Sequence, residues 1–345
     1  MKQHYLTLDA LRGVAAIAVV ARHLDGLAPG NPFPASYLAV DFFFGLSGFV
    51  LAHAYGRRLG EGMSFRRFAL ARLIRLYPLY FIAGLLAILT LGLKIVVGEA
   101  GPIDLLVRAA NLVFIPLPLG EDRLHLYPLN FPAWSLGFEL LVNAVFAVVI
   151  FRLTTWRLVG LLVVSAIALT VAALYFGTLD VGSHWSDILG GVARVTFSFF
   201  LGVGVYRLHR AFPVRLPGLA VIPVTLILLA SFLPAVPFQG LYDVLAIVVI
   251  FPLLLFVGAA IAPPQAAQGV CTFLGVTSYA IYVIHVPMRD VVLAAMHYLP
   301  IRPSWGLAAA FILIALVASW IVDKVYDGPV RTWLSGKFLP ASGRS

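Results

Sequence analysis

The chain has 345 residues, of which 61% are hydrophobic and 11% charged, against about 25% charged in an ordinary soluble domain. So few charges cannot cover a water-facing surface, which excludes a soluble globular fold and makes lipid the solvent for much of the exterior. The formal net charge of +9 does not indicate nucleic-acid binding, because the basic residues sit in short loops between apolar runs, where they orient helices and meet lipid headgroups.

Apolar runs of about twenty residues select helices over the shorter alternating strands of a barrel. In chain order they predict spans at 8–27, 36–56, 76–97, 133–151, 157–176, 189–207, 217–234, 241–261, 274–295 and 304–324. The fold class is therefore an all-α, polytopic transmembrane helix bundle of about ten helices. The first run has no small-residue cleavage site and reads as a retained helix, not a signal peptide. Segment 102–119 is too short and too charged to span and reads as an interfacial or re-entrant piece. With the N-terminus in the cytoplasm, loop 57–75 carries Arg57, Arg58, Arg66, Arg67, Arg72 and Arg75 against Glu61. Further cytoplasmic loops hold Arg152, Arg157, Arg207, Arg210 and Arg215, and the tail holds Lys324, Arg331, Lys337 and Arg344. The opposite loops mix Arg108, Arg123 and Arg302 with Glu99, Asp104, Glu121, Asp122, Asp180 and Asp187. This asymmetry places both termini in the cytoplasm. No internal repeat of the inverted-transporter kind is visible, so residues 1–335 read as one membrane domain and 336–345 as a cytoplasmic tail. Cys271, the one cysteine, excludes an internal disulfide framework and a cysteine-based zinc site, and no metal is expected.

Charges within apolar runs are costly and mark function. In the first span, LDALRGVAAIAVVARHLD, Arg12 and His23 are eleven positions apart. They share one helical face at a separation of about 16 Å, Arg12 toward the cytoplasmic end. In the second, Asp41 stands at the outer end, and Gly45, Ser47 and Gly48 form a small-residue patch that serves close helix packing or chemistry. Arg72 and Arg75 share a face at i, i+3 spacing, which suits either positive-inside anchoring or a bidentate grip on phosphate. The fourth span opens FPAWSLGFE, with Trp134 at the interface and Glu139 about two turns into apolar helix. Topology places His23, Asp41 and Glu139 toward the outer leaflet, the grouping of an oriented general base. In the ninth span Ser278, Tyr282 and His285 lie together, the histidine either a satisfied core residue or a lining one.

In this order LDALRG with Arg12 and His23, DFFFGLSGFVL, RLIRLYPLY, PAWSLGFE and SYAIYVIH resemble the motifs of the acyltransferase type 3 family, membrane-bound O-acyltransferases of bacterial surface and secondary-metabolite chemistry. The resemblance implies about ten helices in the bacterial cytoplasmic (inner) membrane and no bound cofactor. Acyl-CoA, with acetyl-CoA as the default, is then the co-substrate. The acceptor is a hydroxyl of a glycan, lipid or macrolide-like molecule. By motif, the resemblance implies catalysis by His23 with Arg12 as its partner and donor handling by Arg72 and Arg75. It matches Ser47, Gly48 and Phe49 to the SGF element, and Trp134 and Glu139 to WSLxxE. Departures are Arg22, where an apolar or aromatic residue is common, and LLVN after Glu139; both bear on the acceptor. In the expected mechanism His23 removes the hydroxyl proton, with Asp41 or Glu139 fixing its tautomer. Arg12, Arg72 and Arg75 receive the CoA phosphates or thread the pantetheine. Ser47, Gly48, Phe49, Trp134, Tyr282 and His285 line the substrate path. Membrane lipid is the expected surrounding partner. A transporter or flippase of an amphipathic metabolite or lipid-linked sugar is the alternative, and a structural scaffold leaves the intramembrane charges unexplained.

Overall fold

Each run that predicts a span forms a helix in the computed structural model, which describes residues 4–96, 98, 100–116 and 125–339. Glu99, Glu121, Asp122, Arg123 and Arg344, counted above among the loop charges, lie outside the described residues, as do the end of segment 102–119 and most of the 336–345 tail. The helices are α1 (Leu6–Arg22), α2 (Ala39–Gly60), α3 (Phe65–Val96), α4 (Pro102–Ala109), α5 (Ala133–Val149), α6 (Thr155–Phe176), α7 (Ile188–Ala211), α8 (Val221–Ala230), α9 (Gln239–Leu245), α10 (Phe251–Ala260), α11 (Gln265–Tyr298), α12 (Trp305–Val322) and α13 (Gly328–Phe338). π-helical turns at Ala246–Ile250 and Asp323–Asp327 join α9 to α10 and α12 to α13. Among the described residues, 8 helical stretches are long and apolar enough to cross a membrane. The first run, α1, has 17 residues, and Gly218–Ala230 is also shorter than a full span. The protein is a multi-pass, all-α membrane protein.

Two boundaries differ from expectation for physical reasons. The third helix begins at Phe65 and not at residue 76, so Arg72 and Arg75 are helical residues and not part of a loop. Each has a carboxylate within reach, Glu139 at 2.9 Å for Arg72 and Asp327 at 3.8 Å for Arg75, which lets a span carry guanidinium groups. The α8 run is bounded by Pro217 and Pro234, and proline restricts the residue before it to extended backbone.

α1 and α11 run parallel and share a register. Arg12 meets Gly275 and Ser278 at one end, and His23 meets His285 and Arg289 at the other. The backbones approach closely at Gly13, where a Cβ would stand 2.6 Å from the Leu274 carbonyl oxygen. Pro287 interrupts α11 and offers no N–H to the carbonyl of Val283 four residues earlier. The Asn130 side-chain amide donates to that orphaned oxygen at 3.0 Å, which ties the segment before α5 to α11 within a turn of His285.

α2 crosses α7 at a second glycine contact. A Cβ on Gly48 would fall on the carbonyl of Phe199, well inside van der Waals contact, so backbone packs on backbone. Phe49 is fully buried beside it, edge-on to the rings of Tyr5 and Tyr206. Gly48→Ala is therefore expected to lower thermal stability by about 1–3 kcal/mol, the cost of overpacking. Gly56→Ala in the same helix meets open space and should be neutral or stabilising by up to about 1 kcal/mol. Thermal unfolding of the two purified variants in detergent, followed by size exclusion, checks the contrast.

Candidate active site

Three cavities lie end to end through the bundle. The first is a mouth of about 1270 Å³ between α1, α2 and α7, lined by Asp9, Arg12, Arg57, Arg58, Arg207 and Arg210 with several rings. It shares Arg12, Leu46 and Val50 with a waist of about 160 Å³. The waist in turn shares Val40 and Tyr282 with a chamber of about 390 Å³ at the far end. The short 3-10 turn Ser36–Leu38 and the segment 179–184 complete the chamber wall.

His23 follows directly on α1 and lines the chamber. Its Nδ1 is 3.0 Å from the Val19 carbonyl oxygen and 3.2 Å from His285 Nε2. The Nδ1 of His285 is 3.0 Å from the Ile281 carbonyl oxygen. A ring nitrogen facing a carbonyl carries the proton. His285 in its neutral form therefore accepts at Nε2, and His23 shares its Nδ1–H between Val19 and His285. That leaves the His23 Nε2 lone pair able to accept a proton. Arg289 donates to the His23 carbonyl at 3.2 Å and pairs with Asp290 at 3.0 Å, which fixes the backbone that carries the ring. The remaining chamber wall mixes Arg22, Asp25, Asn31, Asp180 and His184 with the rings of Tyr37, Phe131 and Trp134. Arg22 pairs with Asp180 at 2.5 Å, donates to the Pro34 carbonyl and lies over the Tyr37 ring at 5.0 Å.

The waist gathers the intramembrane arginines. Arg12 donates to Ser278 Oγ at 2.8 Å and to the Gly275 carbonyl at 2.9 Å, and pairs with Asp9 at 2.9 Å. Arg72 and Ser47 both donate to Glu139 Oε1, at 2.9 and 2.8 Å. Arg75 lies over the Tyr279 ring at 5.4 Å, and the carboxylate near it, Asp327, also holds Arg331 at 3.0 Å. Between waist and chamber, Tyr282 hydrogen-bonds Ser135 at 2.7 Å and meets Phe43 edge-on at 5.6 Å.

Residues 5–324 match the family model described as an acyltransferase domain. The chain belongs to the acyltransferase type 3 family. It is also 44% identical over 186 residues to "Protein 2 in picA locus" of Rhizobium radiobacter, an alignment covering 50% of this chain and 97% of that protein. No solved structure matches the chain. In this membrane acyltransferase Asp327 lies just beyond the residues that the family model matches.

The structure brings together most of the residues that the sequence singles out, in two groups. Arg12, Arg72, Arg75, Ser47 and Glu139 share the waist; His23 and Trp134 share the chamber; Tyr282 belongs to both. Four expectations need correction. Glu139 does not orient His23, since its carboxylate is taken by Arg72 and Ser47. Asp41 is not beside His23 either: it is buried against Arg194 at 2.6 Å and accepts from Ser198 at 3.1 Å. The tautomer is fixed instead by Val19 and His285, so His285 stands behind the His23 ring and is not a lining residue. Gly48 and Phe49 are packing residues of the α2–α7 crossing and line none of the three cavities.

Two residues outside the sequence reading prove central to the architecture. Arg194, fully buried, donates to Asp41, to the Val181 carbonyl at 2.6 Å and to the Tyr37 carbonyl at 2.9 Å. Asp243, also fully buried, accepts from the Tyr37 hydroxyl at 2.8 Å, from the Leu179 amide at 2.7 Å and from Gln239 at 2.8 Å. Together they clamp Tyr37 and residues 179–181, two sides of the chamber. A charge inside each predicted span, visible in ARVTFSFF and GLYDVLA, was the available signal. Asp41→Ala leaves Arg194 buried without its counterion and should cost about 3–5 kcal/mol. Asp41→Leu combined with Arg194→Met should recover most of that loss, and a double-mutant cycle of thermal unfolding measures it.

Proposed function

We propose that this acyltransferase moves an acyl group, acetyl by default, from cytoplasmic acyl-CoA to a hydroxyl of a carbohydrate or related acceptor at the far face of the bacterial cytoplasmic membrane. The observation that carries this reading is the line of cavities from a basic mouth, past the waist arginines, to a chamber lined by His23. Under the positive-inside rule the mouth, rich in arginine, faces the cytoplasm. Acyl-CoA is made there, so the donor enters by the mouth. The chamber faces the other side, and its carboxylates, amide and aromatic faces suit a polyhydroxylated acceptor, with rings under C–H faces and polar groups on hydroxyls. Polysaccharide, lipid-linked sugar and macrolide-like molecules share that chemistry, and membrane lipid surrounds the bundle.

A thioester is already activated, so the protein's task is alignment and one proton transfer. The acceptor oxygen attacks the thioester carbonyl carbon while its proton passes to His23 Nε2. The tetrahedral intermediate then collapses, the C–S bond breaks, and the thiolate leaves with the proton from His23. His285 and the Val19 carbonyl hold the Nδ1–H throughout. The waist groups thread the pantetheine arm: Arg12, Arg72 and Arg75 donate to its carbonyls, and Ser47 and Glu139 keep Arg72 aimed at the path. A carrier would also use a line of cavities, and the assay below separates the two.

Purified protein in vesicles with radiolabelled acetyl-CoA and a surface-glycan extract should yield labelled acceptor and free CoA; vectorial movement of an intact metabolite without thioester loss would favour the carrier. His23→Ala should lower transfer by about a hundred- to ten-thousand-fold at unchanged membrane level, and near-normal transfer would remove His23 from the mechanism. His285→Gln presents a carbonyl oxygen that can accept from His23 Nδ1–H, whereas His285→Leu cannot. The glutamine variant should therefore retain at least about tenfold more kcat than the leucine variant, with similar KM. Equal loss in both would mean His285 only packs.

A further inference from the structure

The donor reading leaves one part of acyl-CoA without a place. Its nucleotide carries an adenine ring and three phosphates, and the waist cannot hold it: about 160 Å³ is available there, and the guanidinium groups of Arg12 and Arg72 within it are already aimed at Glu139, Asp9 and Ser278. We infer that the nucleotide is seated in the mouth, on Arg58 and Arg210 with the rings of Tyr5, His53 and Tyr206, separately from the waist arginines. This assignment rests on acyl-CoA being the donor and adds where its recognised end binds.

The mouth has the volume, about 1270 Å³, and the charge. Arg57 and Arg58 reach it from the end of α2, and Arg207 and Arg210 from the end of α7. Among the described residues Asp9 is the one carboxylate in its lining, and Asp9 is engaged by Arg12. Positive-inside bias explains arginines at helix ends, but it does not explain two helices delivering them to the same cleft around a cluster of rings. Tyr5 and Tyr206 stand edge-on to His53 at 5.3 and 5.7 Å, and Arg58 lies over the Tyr55 ring at 5.3 Å. Guanidinium groups for phosphate and π-faces for a base are the recurring parts of nucleotide seats. Arg207 is partly committed to the Leu153 carbonyl at 2.6 Å, and Arg57 to Glu61 at 3.3 Å; Arg58 and Arg210, both exposed, make no such bond among the described residues. The length also fits. Arg12 marks the junction of mouth and waist, and eleven residues of α1 separate it from His23, about 16 Å of helix rise. An extended pantetheine arm has that span, so a donor whose arm starts at the junction puts its thioester beside His23 and leaves its nucleotide in the mouth.

The chemistry of the cleft, several guanidinium groups on phosphate, would also suit an anionic lipid headgroup, and the test separates the two sources. Binding of acetyl-CoA, S-acetylpantetheine and adenosine 3′,5′-bisphosphate is measured on the full-length protein in phosphatidylcholine nanodiscs. Arg58→Gln with Arg210→Gln is expected to weaken acetyl-CoA and the bisphosphate by about tenfold or more and to leave S-acetylpantetheine within about twofold. Arg66→Gln, on the same face but outside the cleft, should change none of the three. The seat is overturned if wild-type protein fails to bind the bisphosphate, or if the double variant weakens acetylpantetheine as much as acetyl-CoA. It is overturned as well if bisphosphate binding vanishes when phosphatidylglycerol replaces phosphatidylcholine, which would make the cleft a lipid site. Arginine-dependent binding of the bisphosphate together with no binding of either thioester would sustain a nucleotide seat and remove acyl-CoA as the donor.

Discussion

The parallel seam between α1 and α11 sets the geometry on which the rest depends. Arg12 is bonded to Gly275 and Ser278, and His23 to His285. Both ends are fixed by the same two helices in the same register. Rise per residue is constant in a helix, so the spacing of the waist from the chamber cannot drift unless the seam slips. Slippage is resisted by glycine at position 13 against the Leu274 backbone, and by Arg289 on the His23 carbonyl. The distance between the two ends of the proposed donor path is thus built into backbone geometry and not left to loops.

Around that ruler the remaining polar groups obey the rule of a low-dielectric interior, where a charge survives when it is paired and hydrogen-bonded. Asp41 and Arg194 satisfy each other and, through the Tyr37 and Val181 carbonyls, hold the chamber wall. Glu139 holds Arg72, and Asp327 stands near Arg75 from a segment just past the family match. These pairs have different partners and different ends of the bundle, yet each uses a carboxylate to fix the direction of a guanidinium. In this protein these acidic residues within the bundle act as positioners of guanidinium groups.

Much of this was legible along each helix and little of it between helices. Hydropathy located the spans, and the 3.6-residue period put Arg12 and His23 on one face and Arg72 beside Arg75. Periodicity states which residues share a face; it does not say what that face meets. Hence the sequence groups Asp41 and Glu139 with His23, whereas their partners in the fold are Arg194 and Arg72. For the same reason the SGF motif groups Gly48 and Phe49 with Ser47, although neighbouring positions on a helix point about 100° apart and, of the three, only Ser47 turns toward the waist. The tautomer-setting role of His285 depends on a contact across 262 positions of sequence, which no local pattern encodes. Pro287 is a local clue only to the neighbouring contact, since the Val283 carbonyl it frees is the one that Asn130 occupies.

Cavities that meet end to end across a bilayer bring a hazard that soluble enzymes never face. An open passage would let protons and cations run down the membrane potential, at a cost far larger than one ester bond per turnover. The waist is where such a leak would have to pass, and it is narrow, pinched by Phe43 and Tyr282, and ringed by Arg12, Arg72 and Arg75. Fixed positive charge in a constriction repels cations and protons. On the proposed donor path, the arginines that guide the chain therefore also oppose a leak of cations through the waist.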